Sequence, residues 1–292
     1  MKILVFGGTR FFGKRLVELL LSEGHDVVVA TRGNAPLDFP QAVRHVKMDR
    51  KNKEDMLKIA SEQFDVVYDN ICFSSQEAQD SVDAFKGQSI RYVLTSSMAV
   101  YDLAGDLKEE YFNPAEHEIE VAPLESFTYA EGKRQAEAVF AQRASFPIAY
   151  ARIPIVLGID DYTERLLFHI RQIEEKKEFY LPNPKAEIGF IRSDEAAEFL
   201  LQLGTKTEHT GALNGQSNGL YVLEDLLELI KEKTGGEILI QDKDSSANPS
   251  PFAIPNDWYL NQNLAKSLGF EFKNLPEWMP ELIDELIEKH EI

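Results

Sequence analysis

The sequence predicts a doubly wound α/β fold: a parallel sheet with helices on both faces, followed by a smaller mixed α/β region. Two observations carry this. Short apolar runs alternate with helical patterns through the first half of the 292 residues, the order a parallel sheet needs because every parallel pair requires a crossover. The chain also opens as strand, glycine turn and helix, the start of a βαβ unit. The length is large for one compact domain and small for two independent ones. Residues 1–158 are therefore read as the main body, with strands and helices returning from later segments, and residues 159–292 mainly as an appended part.

Composition narrows the function classes. Hydrophobic residues at 43% and charged residues at 27% are ordinary for a soluble globular chain with a large core. The one cysteine, Cys72, excludes an internal disulfide framework and fits a reducing compartment. The apolar run Met1 to Gly8 is too short for a signal peptide, and no later run reaches membrane-spanning length. A net charge of −18 disfavours nucleic acid as a partner, since phosphates are repelled at long range. A cytoplasmic protein is expected.

Lys2 to Phe6 reads as the first buried strand. Gly7-Gly8-Thr9-Arg10-Phe11-Phe12-Gly13 follows, and then an amphipathic helix with Leu16, Leu19 and Leu20 that ends near Gly24. Glycines allow close backbone approach, while free N–H groups and the helix dipole favour an anion, so this stretch is a candidate phosphate cradle of Rossmann type. Asp26 to Thr31 is the second strand. A carboxylate just beyond it would bind the ribose 2′-hydroxyl of NAD; the chain has Thr31-Arg32-Gly33 instead. Arg32, with Arg10 from the turn, is read as a clamp for a 2′-phosphate, which makes NADP the preferred cofactor and NAD the alternative.

Val43 to Met48 is the third strand, with Asp49 and Arg50 at its carboxyl edge where a base could be held. Phe64 to Tyr68 is the fourth, running into Asp69-Asn70-Ile71-Cys72. Helical patterns cover Lys53 to Gln63 and Gln76 to Phe85. The fifth strand, Arg91 to Thr95, delivers Ser96-Ser97-Met98-Ala99-Val100-Tyr101 to the edge where open α/β sheets bind ligands. An acidic connection, Leu103 to Ser126, is expected to border the site.

It leads into Tyr129-Ala130-Glu131-Gly132-Lys133 at the start of a helical pattern. Four residues are about one helical turn, so phenol and ammonium project from one face. The cation favours the phenolate and equips Tyr129 to exchange a proton with a substrate hydroxyl, which a serine hydroxyl such as that of Ser97 can orient.

Further on, Ile148 to Arg152 is a sixth strand and Tyr162 to Glu175 a helix. Short strands are expected near Phe179 to Leu181 and Glu187 to Ile191, then a helix over Ser193 to Leu203 and a strand at Ala212 to Asn214. Tyr221 to Thr234 and Glu277 to Lys289 have helical apolar spacing, and Glu237 to Gln241 reads as a strand. Pro249 to Tyr259, with Phe252, Trp258 and Tyr259, reads as a mobile flap at the mouth of the substrate site, the alternative being that its aromatics beside prolines only seal the small domain. The six histidines lack metal-ligand spacing, and no metal is assigned.

Glycine turn, Ser-Ser-x-x-Val-Tyr and Tyr-x-x-x-Lys in this order resemble the extended short-chain dehydrogenase/reductase superfamily. The likeness runs on through Arg152-Ile153-Pro154-Ile155-Val156-Leu157-Gly158, Phe190 to Ala197 and Leu268-Gly269-Phe270, so it covers nearly the whole chain. The branch it resembles is the NAD-dependent epimerase/dehydratase family. The turn and the Thr-Arg-Gly look like the atypical members that include the chloroplast stem-loop-binding proteins.

The resemblance implies that Tyr129 is the acid/base, that Lys133 holds the nicotinamide ribose, and that Ser97 positions the reacting oxygen. It also implies a sugar-like small-molecule substrate and a homodimer. Arg10 stands where the family's middle glycine would be. Met98-Ala99 replaces the acid pair of the dehydratases, so elimination of water is not expected. Nucleotide-sugar epimerases hold the diphosphate with an Asn near Ile155, an Arg near Ile188 and an Arg ahead of the lid. Here Ile155, Ile188 and the arginine-free stretch Ser245 to Pro251 stand instead, leaving Arg152, Arg165, Arg171 and Arg192 as substitutes. The expected activity is hydride transfer at a secondary alcohol or ketone, as in nucleotide-sugar epimerases. An NADPH-dependent reductase of a small carbonyl compound is one alternative, and a non-catalytic or RNA-binding relative the other.

Overall fold

A computed structural model describes residues 1–39, 43–241 and 248–290. The first half builds β1 (Lys2–Phe6), α1 (Phe11–Ser22), β2 (Asp26–Thr31), β3 (Arg44–Lys47), α2 (Lys53–Ala60), β4 (Val66–Asp69), α3 (Ser75–Ala84), β5 (Arg91–Ser97) and α4 (Tyr129–Arg143). The second half continues with β6 (Ile148–Ile153), β7 (Ile155–Leu157), α5 (Arg165–Glu174), β8 (Phe179–Tyr180), β9 (Glu187–Ile188), β10 (Phe190–Arg192) and α6 (Ser193–Thr205). It ends with β11 (Gly211–Asn214), β12 (Tyr221–Val222), α7 (Leu223–Thr234), β13 (Ile240–Gln241), α8 (Asn263–Ser267) and α9 (Leu275–His290).

Seven strands form one parallel sheet in the order β11-β6-β5-β4-β1-β2-β3. Its inner strands are largely apolar because both faces are covered, whereas the edge strand β3 carries Arg44, His45 and Lys47 around the single apolar Val46. The pleat divides β1 cleanly: Ile3 and Val5 enter the core under α1 and α6, whereas Leu4 and Phe6 enter the core under α2, α3 and α4. The strand order reverses between β1 and β4, and the crevice at their carboxyl ends is where such sheets bind ligands.

Residues after 158 serve two structures. α6 packs on α1 and β11 extends the main sheet beside β6. The rest, with α5, α7 and α9, encloses a separate core that includes Leu166, Ile170, Leu226, Ile230, Met279 and Ile283. No helix among the described residues is long and apolar enough to cross a membrane.

Three expectations for this second half are corrected. The single strand over Glu187 to Ile191 is two, β9 paired with β12 and β10 with β7. They part at Gly189, where a Cβ would lie 1.9 Å from Gln216 Oε1, so that side chain wedges between the two pairings. The helix expected from Tyr162 starts at Arg165, because Glu164 is left-handed (φ 53°) and breaks the run. The aromatic stretch Pro249 to Tyr259 is a packed seal, not a flap. Phe252 is buried and stacked on His169 with ring centres 4.4 Å apart, while Trp258 exchanges backbone hydrogen bonds with Glu187 and Gly189. Of the arginine-free stretch Ser245 to Pro251, residues 245–247 lie outside the described residues.

Candidate active site

The glycine turn lines a cavity of about 600 Å³ at the switch point, a volume in the range of small-molecule and cofactor sites. Gly7 has φ +78°, which only glycine adopts without strain, and a Cβ on Gly13 would come within 2.3 Å of the Gly7 carbonyl. The turn is therefore as tight as the backbone permits. Gly8 faces the other way: a side chain there would meet Val17 and Val5, so it serves packing of α1 on β1. Thr9, Arg10, Phe11, Phe12 and Gly13 all line the cavity, and Phe11 opens α1 with φ 52°, a conformation uncommon for a bulky residue. No side chain caps α1, so its first N–H groups are left for a ligand.

Arg32, at the end of β2, also lines the cavity, is exposed, and has no ion pair among the described residues. Arg10 likewise has no carboxylate partner among the described residues; its guanidinium lies 5.9 Å from the ring centre of Tyr162. In a chain of charge −18 two cations left unpaired beside one cavity suit an anion. Tyr162 comes from the appended part, and its loop is fastened by Asp160 to Arg15 (2.9 Å) and Ser193 (2.9 Å). Nothing in the sequence pattern singled out this tyrosine, because its role depends on a contact across about 150 residues of chain with the glycine turn.

At the carboxyl edge of β3, Asp49 accepts from the Lys51 N–H and also borders the cavity. Arg50 turns inward to Asp69 (2.9 Å) and Ser81 (2.8 Å). Burial opposes its charge, but the Asp69 carboxylate prevails and holds it above its ordinary range. Its Nε and Nη1, and the Nδ2 of Asn70, are buried without hydrogen-bond partners, although both residues border the cavity. Buried donors of this kind are normally satisfied. Together with the glycine cradle, they fit an acceptor-rich, anionic dinucleotide. From the sequence the stretch Asp69 to Cys72 reads equally as a cofactor contact or as an ordinary strand end; Asn70 lines the cavity.

The catalytic candidates sit beyond the other side of the cavity. Ser97 ends β5 and accepts from the Ala99 N–H at 3.1 Å. Thr128 caps α4 through the Glu131 N–H, making the half-exposed Tyr129 the first helical residue. Lys133, one turn on, is only 1% exposed and donates to the carbonyls of Cys72 and Thr95, both at 2.8 Å. No hydrogen bond joins Tyr129 to Lys133, contrary to a simple reading of their spacing. Both instead meet Phe73: its ring centre is 6.3 Å from that of Tyr129 and 4.4 Å from the Lys133 ammonium. Phe73 also lines the cavity, whereas Tyr129, Lys133 and Ser97 do not. The neighbouring Cys72 thiol is pushed up to about 12 by burial and stays protonated.

A charged network frames this end. Arg152 is fully buried and grips Glu137 of α4 with two hydrogen bonds, at 3.1 and 2.6 Å. It also donates to the Tyr101 hydroxyl and to the carbonyls of Glu109 and Phe112, so it pins the acidic connection against the sheet. Ser96 donates to Glu137, and Tyr101 donates to Asn214. Arg165 is held by Thr163, Arg171 by Glu164, and Arg192 lies within 4.0 Å of Asp194, Glu281 and Glu285. All four arginines named as substitutes for diphosphate contacts thus have partners inside the chain.

Residues 7–146 match the NAD(P)H-binding family model. Over 149 residues the chain is 32% identical to chloroplast stem-loop binding protein of 41 kDa b from Arabidopsis thaliana, covering 45% of this chain and 39% of that protein. Over 99 residues it is 33% identical to 2′-dehydrokanamycin reductase from Streptomyces kanamyceticus, covering 34% of this chain and 28% of that one. The chain thus aligns with well under half the length of these curated relatives.

Solved structures resemble it over nearly its whole length. UDP-glucose 4-epimerase from Thermotoga maritima, with UDP-glucose, gives a TM-score of 0.77 at 17% identity, covering all of both chains. UDP-glucuronic acid 4-epimerase from Bacillus cereus, with NAD, gives 0.75 at 18% identity over 99% of this chain and 100% of that one. At such identities the likeness is one of fold. The Rossmann-type sheet and the resemblance read from the motifs are both borne out.

Proposed function

We propose, for a chain of the extended, atypical short-chain dehydrogenase/reductase kind, that it is an NAD(P)-dependent enzyme acting on a secondary alcohol or ketone of a sugar-like substrate, with NADP preferred. The observation that carries this is one cavity running from an uncapped glycine cradle to Phe73, which is shared with Tyr129 and Lys133. When bound, a nicotinamide cofactor supplies or accepts the hydride. Gly7 to Gly13, with the unpartnered donors of Asn70 and Arg50, would hold the pyrophosphate and riboses, and Asp49 would border the base. Arg32, helped by Arg10, would take a 2′-phosphate. The exposed phenol of Tyr129 exchanges the proton with the substrate oxygen, Ser97 orients that oxygen, and Lys133, which fixes the loop after β4 against β5, would hold the nicotinamide ribose.

On this reading residues 1–158 bind the dinucleotide and residues 159–292 mainly shape the substrate site, inside a cytoplasmic protein. A ketone that rotates and is reduced on its other face gives epimerisation; one that leaves gives net reduction. Whole-length likeness to epimerases supports the first as a matter of fold. Two observations favour the second: Arg10 and Arg32 suit NADPH, and Arg152, Arg165, Arg171 and Arg192 are all engaged, which leaves a substrate diphosphate without them. The charge of −18 counts against RNA.

The test is Tyr129→Phe, assayed on ketoses and nucleotide sugars with each cofactor. Turnover falls by about 10²–10⁴ while cofactor affinity is kept. Unchanged turnover rejects the assignment. Net oxidation of NADPH marks the reductase; product without net oxidation marks the epimerase.

A further inference from the structure

Lys133 is the residue whose surroundings fit its expected role least well, and the misfit has one cause. An ammonium has three donors. Two are taken by the carbonyls of Cys72 and Thr95, and the third side of the group is covered by the Phe73 ring at 4.4 Å. A nicotinamide ribose hydroxyl therefore has no donor to reach while the ring stays where it is.

The backbone of Phe73 cannot shift to make room. Its N–H is held by Glu77 Oε2 at 2.6 Å, and its carbonyl lies against α4 where a Cβ on Gly132 would come within 2.3 Å. This close approach accounts for a glycine inside a helix, where it costs about 1 kcal/mol relative to alanine. The ring itself is only partly buried and borders the open cavity. Rotation about the side-chain bonds is thus the one movement open to it, on a backbone fixed at both peptide groups.

From this we infer that Phe73 is a positioning residue that gates the nicotinamide half of the cofactor: its ring covers Lys133 and must swing aside before the ribose can take its place. The inference rests on the proposed dinucleotide site and deepens it. Because the ring gives up its place over a buried cation, the gate lowers affinity for the whole dinucleotide. It leaves untouched a ligand that fills only the adenine half.

The experiment compares binding of NADPH and of adenosine 2′,5′-bisphosphate to the wild-type chain, Phe73→Ala and Phe73→Leu, with melting curves to check folding. The gate predicts that NADPH binds Phe73→Ala about tenfold more tightly and with a faster on-rate, with Phe73→Leu between. Adenosine 2′,5′-bisphosphate binds all three alike. NADPH affinity that is unchanged or weaker in both variants overturns the gate.

A second readout needs no cofactor: reductive methylation of Lys133, followed by peptide mass, should be slow in the wild type and faster in Phe73→Leu. Equal rates would show that the ring is not the cover. Wild-type protein that binds neither ligand would instead remove the dinucleotide reading itself, so the two failures are distinguishable.

Discussion

At the glycine turn, Arg10 and Arg32 stand at the edge of a cavity with no carboxylate among the described residues to neutralise them. On β6, inside the core, Arg152 is fully buried and its guanidinium donors meet Glu137, Tyr101 and two carbonyls. The two regions use one residue type in opposite ways. A buried cation with every donor matched is committed to the fold, since freeing it would strand its carboxylate. An exposed cation left unpaired in so acidic a chain is available to a ligand. Partnership therefore separates the arginine committed to the fold from the two proposed to meet a ligand, and position in the sequence does not.

The largest effect that would break this contrast is at Arg152. Arg152→Met strands Glu137 in the core and should lower stability by about 3–5 kcal/mol in urea denaturation. Arg152→Met with Glu137→Leu should recover most of it. A near-neutral single substitution would mean that the network does not frame the catalytic end.

Next is His169, which closes the appended core. Its Nδ1 donates to the Arg165 carbonyl, its Nε2 accepts from Ser250, and burial pushes it down to about 4. The folded value lies below the unfolded one, so the contribution is complete above about pH 6.5 and is lost as pH falls toward 4. The difference comes to about 3 kcal/mol. Denaturation midpoints measured across that interval should fall, and His169→Gln should flatten the fall. The smallest effect is at Arg32: Arg32→Ala should weaken NADPH about tenfold, leave NADH binding alone, and change stability by no more than about 0.5 kcal/mol. Equal losses for both cofactors would contradict the 2′-phosphate role.

What could be read from sequence followed the range of the interaction. The strands β1, β2 and β5 and the cradle from Gly7 to Gly13 were legible because apolar runs and glycine turns report local backbone needs. The inward turn of Arg50 and the burial of Lys133 were not, since each is decided by neighbours distant in the chain, Asp69 and Phe73. Tyr162 has no local signal for the same reason. Between flap and seal the stretch from Pro249 to Tyr259 is undecided by sequence because exposure cannot be told from composition; the partner that buries Phe252 is His169, about 80 residues earlier.

The central claim is that the glycine-lined crevice holds a phosphorylated dinucleotide, and fluorescence titration of the purified chain with NADPH and NADH tests it without knowledge of the substrate. Saturable binding of one NADPH per chain, tighter than NADH, is the predicted result. No saturable binding of either, or clearly tighter NADH, would contradict it.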